Sequence, residues 1–264
     1  MTEIPFISMT SPLIITVNMK LEEYLNVIED FLKEYLEKSH MDTYVLGLSG
    51  GVDSSLVAAL AKKAVGRKKL ACIMMPIDSL PADLEDAIQL VSSLELDYTV
   101  IDASSSYHNL VDKFIEQGIP LDVATCSNIK ARIRMTILYA YAQKHRGLVL
   151  GTDNADERFT GYFTKWGDGA ADLLPICHLL KSEVVEASKI LGVPENLAER
   201  IPSAGLFEGQ TDEKEMGVSY KDIDDYLLGK PIKEEAKQRI LYLHKISEHK
   251  REAIPAPSEY VRDK

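Results

Sequence analysis

The chain has 264 residues, 45% of them hydrophobic, with 30 basic against 41 acidic side chains and a net charge of −11. That length can bury a full core as a single α/β domain over residues 1–264, while the acidic balance argues against general nucleic-acid or anionic-membrane binding, so an anionic ligand needs a locally basic pocket. Cys72, Cys126 and Cys177 are widely spaced with no CxxC pair, the pattern of a reduced cytoplasmic protein without disulfides or structural zinc.

The first 20 residues lack a basic n-region, and Pro5 and Pro12 break their apolar runs; they read as neither a signal peptide nor a membrane span, and no role is assigned to them. Leu21, Tyr24, Leu25, Ile28, Phe31, Leu32 and Tyr35 recur at helical spacing, which predicts an amphipathic helix over 21–38. A first strand, YVLGL, runs into a Ser-Gly-Gly turn and a helix to residue 65; the basic run KKAVGRKK that follows reads as a solvated helix end. The apolar run 70–75 is a second strand, and Pro81 begins a helix with Leu84, Ala87, Ile88, Val91 and Leu94 on one face. A short third strand over 98–101 precedes helices near 105–117 and 126–145, and a fourth strand occupies 148–150. No internal repeat is visible, and the only low-complexity stretch is the short run Ser104, Ser105, Ser106.

Strands alternating with helices predict a doubly wound parallel sheet with helices on both faces. In the flavodoxin-like order 3-2-1-4 the chain reverses direction between strands 1 and 4, opening a crevice at their carboxyl ends. Two loops then face each other there. One holds Ser49 to Ser54; the other starts at Gly151 and reads GTDNADERFTGYFTKWGDGAADLLPI, too long and too charged for a plain connection.

The turn in YVLGLSGGVDSS is built for an anion, because Gly50 and Gly51 let backbone N–H groups converge and the helix behind adds unpaired donors. No lysine follows as in a Walker loop, and GLSGGV does not satisfy GxGxxG. Asp53 beside phosphates calls for a divalent cation between them, which implies ATP with Mg²⁺. Gly-Gly alone would equally describe a tight connection capped by Ser or Asp. The full SGGVDSS resembles the PP-loop signature of the ATP pyrophosphatase superfamily, enzymes of the adenine nucleotide alpha hydrolase-like fold that cleave ATP between the α and β phosphates and adenylate a substrate.

Together with SNIKARIRM at 127–135, the block at 151–176, SAGLFEGQTDEKEMG at 203–217 and EHKR at 248–251, the signature resembles ammonia-dependent NAD⁺ synthetase. The resemblance covers nearly all of the chain after residue 20, and the block holding GYFTKWGDG is its specific part. It implies ATP-dependent amidation of deamido-NAD with ammonia through an acyl-adenylate, releasing AMP and pyrophosphate. It implies an ATP cradle of Gly47, Leu48, Ser49, Gly50, Gly51, Val52, Asp53 and Ser54, with Lys181 on phosphate and Mg²⁺ held by Asp53 and Glu157. Thr152 and Ser203 would offer hydroxyls to ATP, although a cap or turn role suits each as well. Asn128, Arg132, Lys165, Asp168, Asp172, His249 and Lys250 would bind the dinucleotide. Asp168 would also orient ammonia or take a proton from ammonium, since only neutral ammonia is nucleophilic.

The 126–145 helix is apolar on two sides, which fits a core helix or, as the family implies, a homodimer interface. The 203–217 stretch reads as a lid that keeps water from the acyl-adenylate. The chain departs from the family in three places: Ser127 stands for a glycine, Ser203 for a threonine, and Met74, Met75 and Pro76 replace an Arg-Leu-Pro whose arginine serves the ATP site. No segment resembles a glutaminase, so ammonia is the expected nitrogen donor. The alternative is another PP-loop adenylating enzyme, such as a GMP synthetase ATPase domain or a tRNA-modifying thiolase. A tRNA enzyme would want a basic face and thiolation paired cysteines, and neither is visible. A non-catalytic nucleotide binder of universal-stress-protein type would have no use for a second charged loop with Glu157, Lys165 and Asp168.

Overall fold

The computed structural model describes residues 19–79, 81–200, 211–258 and 260. In chain order these form α1 (Leu21–Ser39), β1 (Thr43–Gly47), α2 (Val52–Val65), β2 (Leu70–Met74), α3 (Pro81–Ser93), β3 (Tyr98–Val100), α4 (Ser104–Glu116), α5 (Val123–Lys144) and β4 (Gly147–Leu150). Then follow α6 (Ala155–Thr160), α7 (Lys181–Ile190), α8 (Glu195–Ala198), α9 (Asp212–Met216), α10 (Tyr220–Leu227) and α11 (Glu234–Ile246).

The strands are parallel in the order β3-β2-β1-β4, as the alternation of elements predicts. Central β1 shows the two-residue period: Tyr44 and Leu46 pack with α1, α2 and α7, while Val45 packs beneath α5. A strand buried on both faces is what a helix-covered parallel sheet requires. The Tyr44 hydroxyl, deep in this core, donates to Leu32 O at 2.6 Å and so ties β1 to α1.

Helix α2 is buried at nearly every position from Val52 to Ala61, because it lies between the sheet and both α1 and α7. The predicted apolar faces of α1 and α3 are narrower than their sequences suggest. Phe31 and Tyr35 are 42% and 39% exposed and pack on each other, with Leu36 filling the core stripe instead. Likewise Ile88 lies outside and Leu90 inside. A second apolar cluster around Met216, Tyr220, Ile223, Leu227 and Ile240 takes in Leu180 and sets α10 against α6 and α7. No described helix is long and apolar enough to cross a membrane, and all three cysteines are free.

Candidate active site

The crossover switch between β1 and β4 leaves a cavity of about 920 Å³ at the carboxyl ends of the strands, at the upper end of the range for small-ligand sites. Its floor is the Ser-Gly-Gly turn. Gly50 has φ +82°, and a Cβ there would stand 2.8 Å from the backbone oxygen of Asp83, so both conformation and space demand glycine. Ser49 Oγ accepts the Gly51 N–H at 3.1 Å, while Ser54 and Ser55 hydroxyls donate to Gly51 O at 3.0 and 2.8 Å. Hydroxyls therefore brace the turn from within, and Gly51, the residue before α2, offers no side chain to cap its first N–H groups.

Three elements converge on one point beside that turn. Asp53 comes from the first turn of α2, Glu157 from α6 and Lys181 from the first turn of α7. Lys181 Nζ lies 2.6 Å from Asp53 Oδ2 and 3.3 Å from Glu157 Oε1. The lysine is 4% exposed. Burial disfavours its charge, but Asp53 and Glu157 outweigh that and raise its pKa. Glu157 is pushed up to about 8, by burial first and by Asp53 second, with Lys181 pulling the other way. Asn154 holds the two acids in place. Its amide donates to Asp53 Oδ1 at 2.8 Å, its oxygen accepts the Glu157 N–H, and its own N–H donates to Glu157 Oε2. That reciprocal pair is a capping box at the start of α6.

The start of α7 is fixed by acids as well: Asp156 Oδ2 accepts the Lys181 N–H at 2.9 Å and Asp224 Oδ2 the Ser182 N–H at 3.3 Å. Burial, then Asp224, raises the Asp156 pKa well above the usual carboxylate range. On the far side, Tyr220 donates to Asp212 Oδ2 at 3.0 Å and puts its ring 4.7 Å from Lys181 Nζ. Tyr162 reaches Asp212 Oδ1 at 3.2 Å and also Glu215. Helix α9 is thereby hydrogen-bonded to the residues around the acid pair.

The long loop after β4 is folded back on the sheet. Leu173 forms a parallel bridge to Leu150, and the Gly151 N–H donates to Leu173 O at 2.8 Å. Within it, the Asp168 carboxylate accepts the Thr164 N–H at 3.1 and 3.3 Å and opens onto the cavity. Desolvation raises its pKa, while the Thr164 N–H and Lys250 oppose the rise.

Of the residues expected at the ligands, Gly47, Leu48, Ser49, Gly51, Val52, Asp53, Ser54, Thr152, Glu157, Lys181, Asn128, Asp168 and Lys250 line this one cavity. Five others stand outside its wall: Gly50, whose backbone shapes the turn, and Asp172, Arg132, Lys165 and His249. Asp172 accepts the Val149 N–H at 2.7 Å, and Arg132 donates to Lys165 O at 3.2 Å, while Lys165 in turn bonds His249 O. Lys250 donates to the carbonyls of Gly161 and Phe163 at 2.7 and 2.6 Å, which attaches the C-terminal segment to the same loop. Ser203, with residues 203–210 of the expected lid, lies outside the described residues. Asn154, Tyr220, Asp212 and Arg134 also stand at or around this site, outside the residues expected from sequence. The N-x-x-E spacing of Asn154 and Glu157 was the available signal for the first; the others are placed by tertiary packing alone.

The site fits a divalent cation. Two carboxylates from separate elements aim at a single point, and an ammonium stands there as a monovalent substitute. Among the described residues no group of three or more His, Cys, Asp or Glu is placed to hold a metal alone. Mg²⁺ needs no such group where phosphate oxygens and water complete its shell.

Residues 24–254 match the family model of NAD synthase. An NH(3)-dependent NAD(+) synthetase of Mesoplasma florum is 44% identical over 92% of this chain and 100% of its own length. The solved structure of an NMN synthetase from Francisella tularensis is 39% identical with a TM-score of 0.87, covering 92% of this chain and 100% of that one. An NH3-dependent NAD synthetase from Campylobacter jejuni, solved with nitrate, is 31% identical with a TM-score of 0.73 over 91% and 100%. With a cavity floored by the phosphate turn and a match spanning nearly its whole length, the chain belongs to the NAD synthase family, ligases that use ATP to amidate deamido-NAD.

Proposed function

We propose that ATP lies along the Ser-Gly-Gly turn and that the nicotinate carboxylate of deamido-NAD meets its α-phosphate beside Asp168. A carboxylate oxygen attacks the α-phosphorus, the bond to the bridging oxygen breaks, and pyrophosphate leaves. Ammonia then adds to the acyl carbon, loses a proton, and expels AMP carrying that carboxylate oxygen. The convergence of Asp53, Glu157 and Lys181 beside the turn supports this reading best.

Negative charge grows on the phosphorus oxygens and on the departing pyrophosphate, where the free N–H groups of α2 and the Lys181 ammonium are the donors at hand. Mg²⁺ held by Asp53 and Glu157 would supply charge neutralisation on the phosphate oxygens. With those carboxylates on the cation, the Lys181 ammonium would be free to turn to phosphate. Thr152 offers its hydroxyl from the cavity wall, and Ser203 is assigned the same part. Asp168, with its raised pKa, is the base that takes the proton from ammonium or the adding ammonia.

Asn128, Arg132, Lys165, Asp172, His249 and Lys250 are assigned to the dinucleotide, in an assembly of two chains paired through α5. That helix leaves Ile129, Ile133, Met135 and Tyr139 only half-buried. The ligands are small molecules handled in the cytoplasm, with neither nucleic acid nor membrane as partner. A second reading, amidation of the mononucleotide acid, is favoured by the close backbone likeness to the Francisella NMN synthetase. It also suits the engagement of Arg132, Lys165 and His249 with one another.

The test supplies ATP, Mg²⁺ and ammonium with either deamido-NAD or nicotinic acid mononucleotide. AMP, pyrophosphate and NAD⁺ are expected, with faster turnover of the dinucleotide. ADP release would overturn the adenylation, and turnover of the mononucleotide alone would select the second reading.

A further inference from the structure

The loop after β2 carries no cation: residues 75–79 read Met75, Pro76, Ile77, Asp78 and Ser79. Yet a guanidinium reaches that loop from α5. Arg134 Nε donates to Met75 O at 3.0 Å and Nη2 approaches Ser79 Oγ at 3.5 Å. The side chain lines the cavity. It makes no ion pair among the described residues, and its Nη1 finds no partner there.

This sets it apart from the other cations of the wall. Lys181 is held by Asp53 and Glu157, Arg200 by Asp83 and Asp86, and Lys250 by two carbonyls. A half-buried guanidinium with spare N–H groups, opening on an empty space, is an anion site in waiting. Its location says which anion. The β2–α3 loop leads directly into the start of α3, which abuts the phosphate turn: a Cβ on Gly50 would meet Asp83 O at 2.8 Å and Asp86 Cβ at 3.3 Å. In the sheet, β2 flanks β1 on one side and β4 on the other. The turn at the end of β1 therefore has Arg134 on its β2 side and the Lys181 cluster on its β4 side.

We propose that Arg134 is an ATP-binding residue whose guanidinium grips the triphosphate from the β2 side of the turn, opposite Lys181. The inference rests on the reading that ATP lies along the Ser-Gly-Gly turn. Helix α5 thus supplies the cation that the β2 loop lacks, and the bonds to Met75 O and Ser79 orient its fork in advance.

The test measures binding of α,β-methylene-ATP with Mg²⁺ and of adenosine to the wild type, Arg134→Gln, Arg134→Lys and Ser79→Ala, each checked for folding by thermal unfolding. Arg134→Gln is expected to weaken the ATP analogue on the order of ten- to a hundredfold while leaving adenosine within about twofold. Arg134→Lys should recover part of the loss, and Ser79→Ala, which removes one of the two bonds that orient the fork but keeps the cation, should weaken the ATP analogue less than Arg134→Gln does. Equal losses for the analogue and adenosine would mean that Arg134 only holds the loop, and would overturn the proposal. So would unchanged analogue affinity in Arg134→Gln, or a loss confined to deamido-NAD. A wild type that binds no ATP analogue would remove the underlying reading, an outcome visible before any variant is made.

Discussion

Replacing Lys181 with methionine isolates the electrostatics of the site. The ammonium stands 2.6 Å from one carboxylate oxygen and 3.3 Å from another. At an effective dielectric of about 20 the contact with Asp53 amounts to a gross attraction on the order of 6 kcal/mol, and the contact with Glu157 adds about 5 once that group ionises. Most of that offsets the cost of taking the charges out of water, and removing one partner of such a buried pair costs about 3–5 kcal/mol. For a chain of this size the loss lowers Tm by roughly 6–10 °C.

Two further signs follow from the same geometry. Lys181 lowers the pKa of Glu157, which is already pushed up to about 8. Its loss raises that pKa further above the unfolded value of 4.5. A carboxyl whose folded pKa exceeds its unfolded one takes up a proton on folding, so stability falls as pH rises between the two. The deficit of Lys181→Met should therefore be larger at about pH 9 than at about pH 6. Millimolar Mg²⁺ should stabilise the variant more than the wild type, because the paired carboxylates no longer hold an ammonium. Differential scanning fluorimetry at both pH values, with and without Mg²⁺, reads all three effects. A variant with wild-type Tm and no added response to Mg²⁺ would refute the picture of the lysine as a stand-in cation.

Gly50→Ala forces a Cβ to within 2.8 Å of Asp83 O at φ +82°, and should cost at least about 1–2 kcal/mol and abolish tight binding of ATP; calorimetry with an ATP analogue checks it. Asp168→Asn removes the base without changing size, so its turnover with ammonium should drop and lose the rise with pH that deprotonation of the raised Asp168 carboxyl produces. An unchanged pH profile would discard that role. Asp156→Asn replaces a carboxyl that burial keeps protonated above the usual range. Because the wild-type group has a raised folded pKa, its cost grows as pH rises, and the variant should gain in relative Tm from about pH 5 to about pH 8.

The parts legible in the sequence were those set by local chemistry. Gly50 and Gly51 announce a backbone conformation, Asp53 and Lys181 sit at helix starts, and the alternation of runs yields the order β3-β2-β1-β4. What stayed hidden depends on which face of a helix meets what. Arg132 and Arg134 stand two apart on α5, yet only Arg134 enters the cavity, while Arg132 turns to Lys165 O. Phe31 and Tyr35 obey the same periodicity as Leu32 and still lie outside, because the stripe that α2 and α7 cover is narrower than the apolar one. The bond from Asn154 to Asp53 joins residues 101 apart in the chain, beyond any local pattern.

The mechanism places one oxygen of the substrate carboxylate on phosphorus. Deamido-NAD labelled with ¹⁸O in its carboxylate, turned over with ATP and ammonium, is expected to yield AMP with a single ¹⁸O and unlabelled pyrophosphate. Label in pyrophosphate, or unlabelled AMP alongside NAD⁺, would contradict an acyl-adenylate formed at the Ser-Gly-Gly turn.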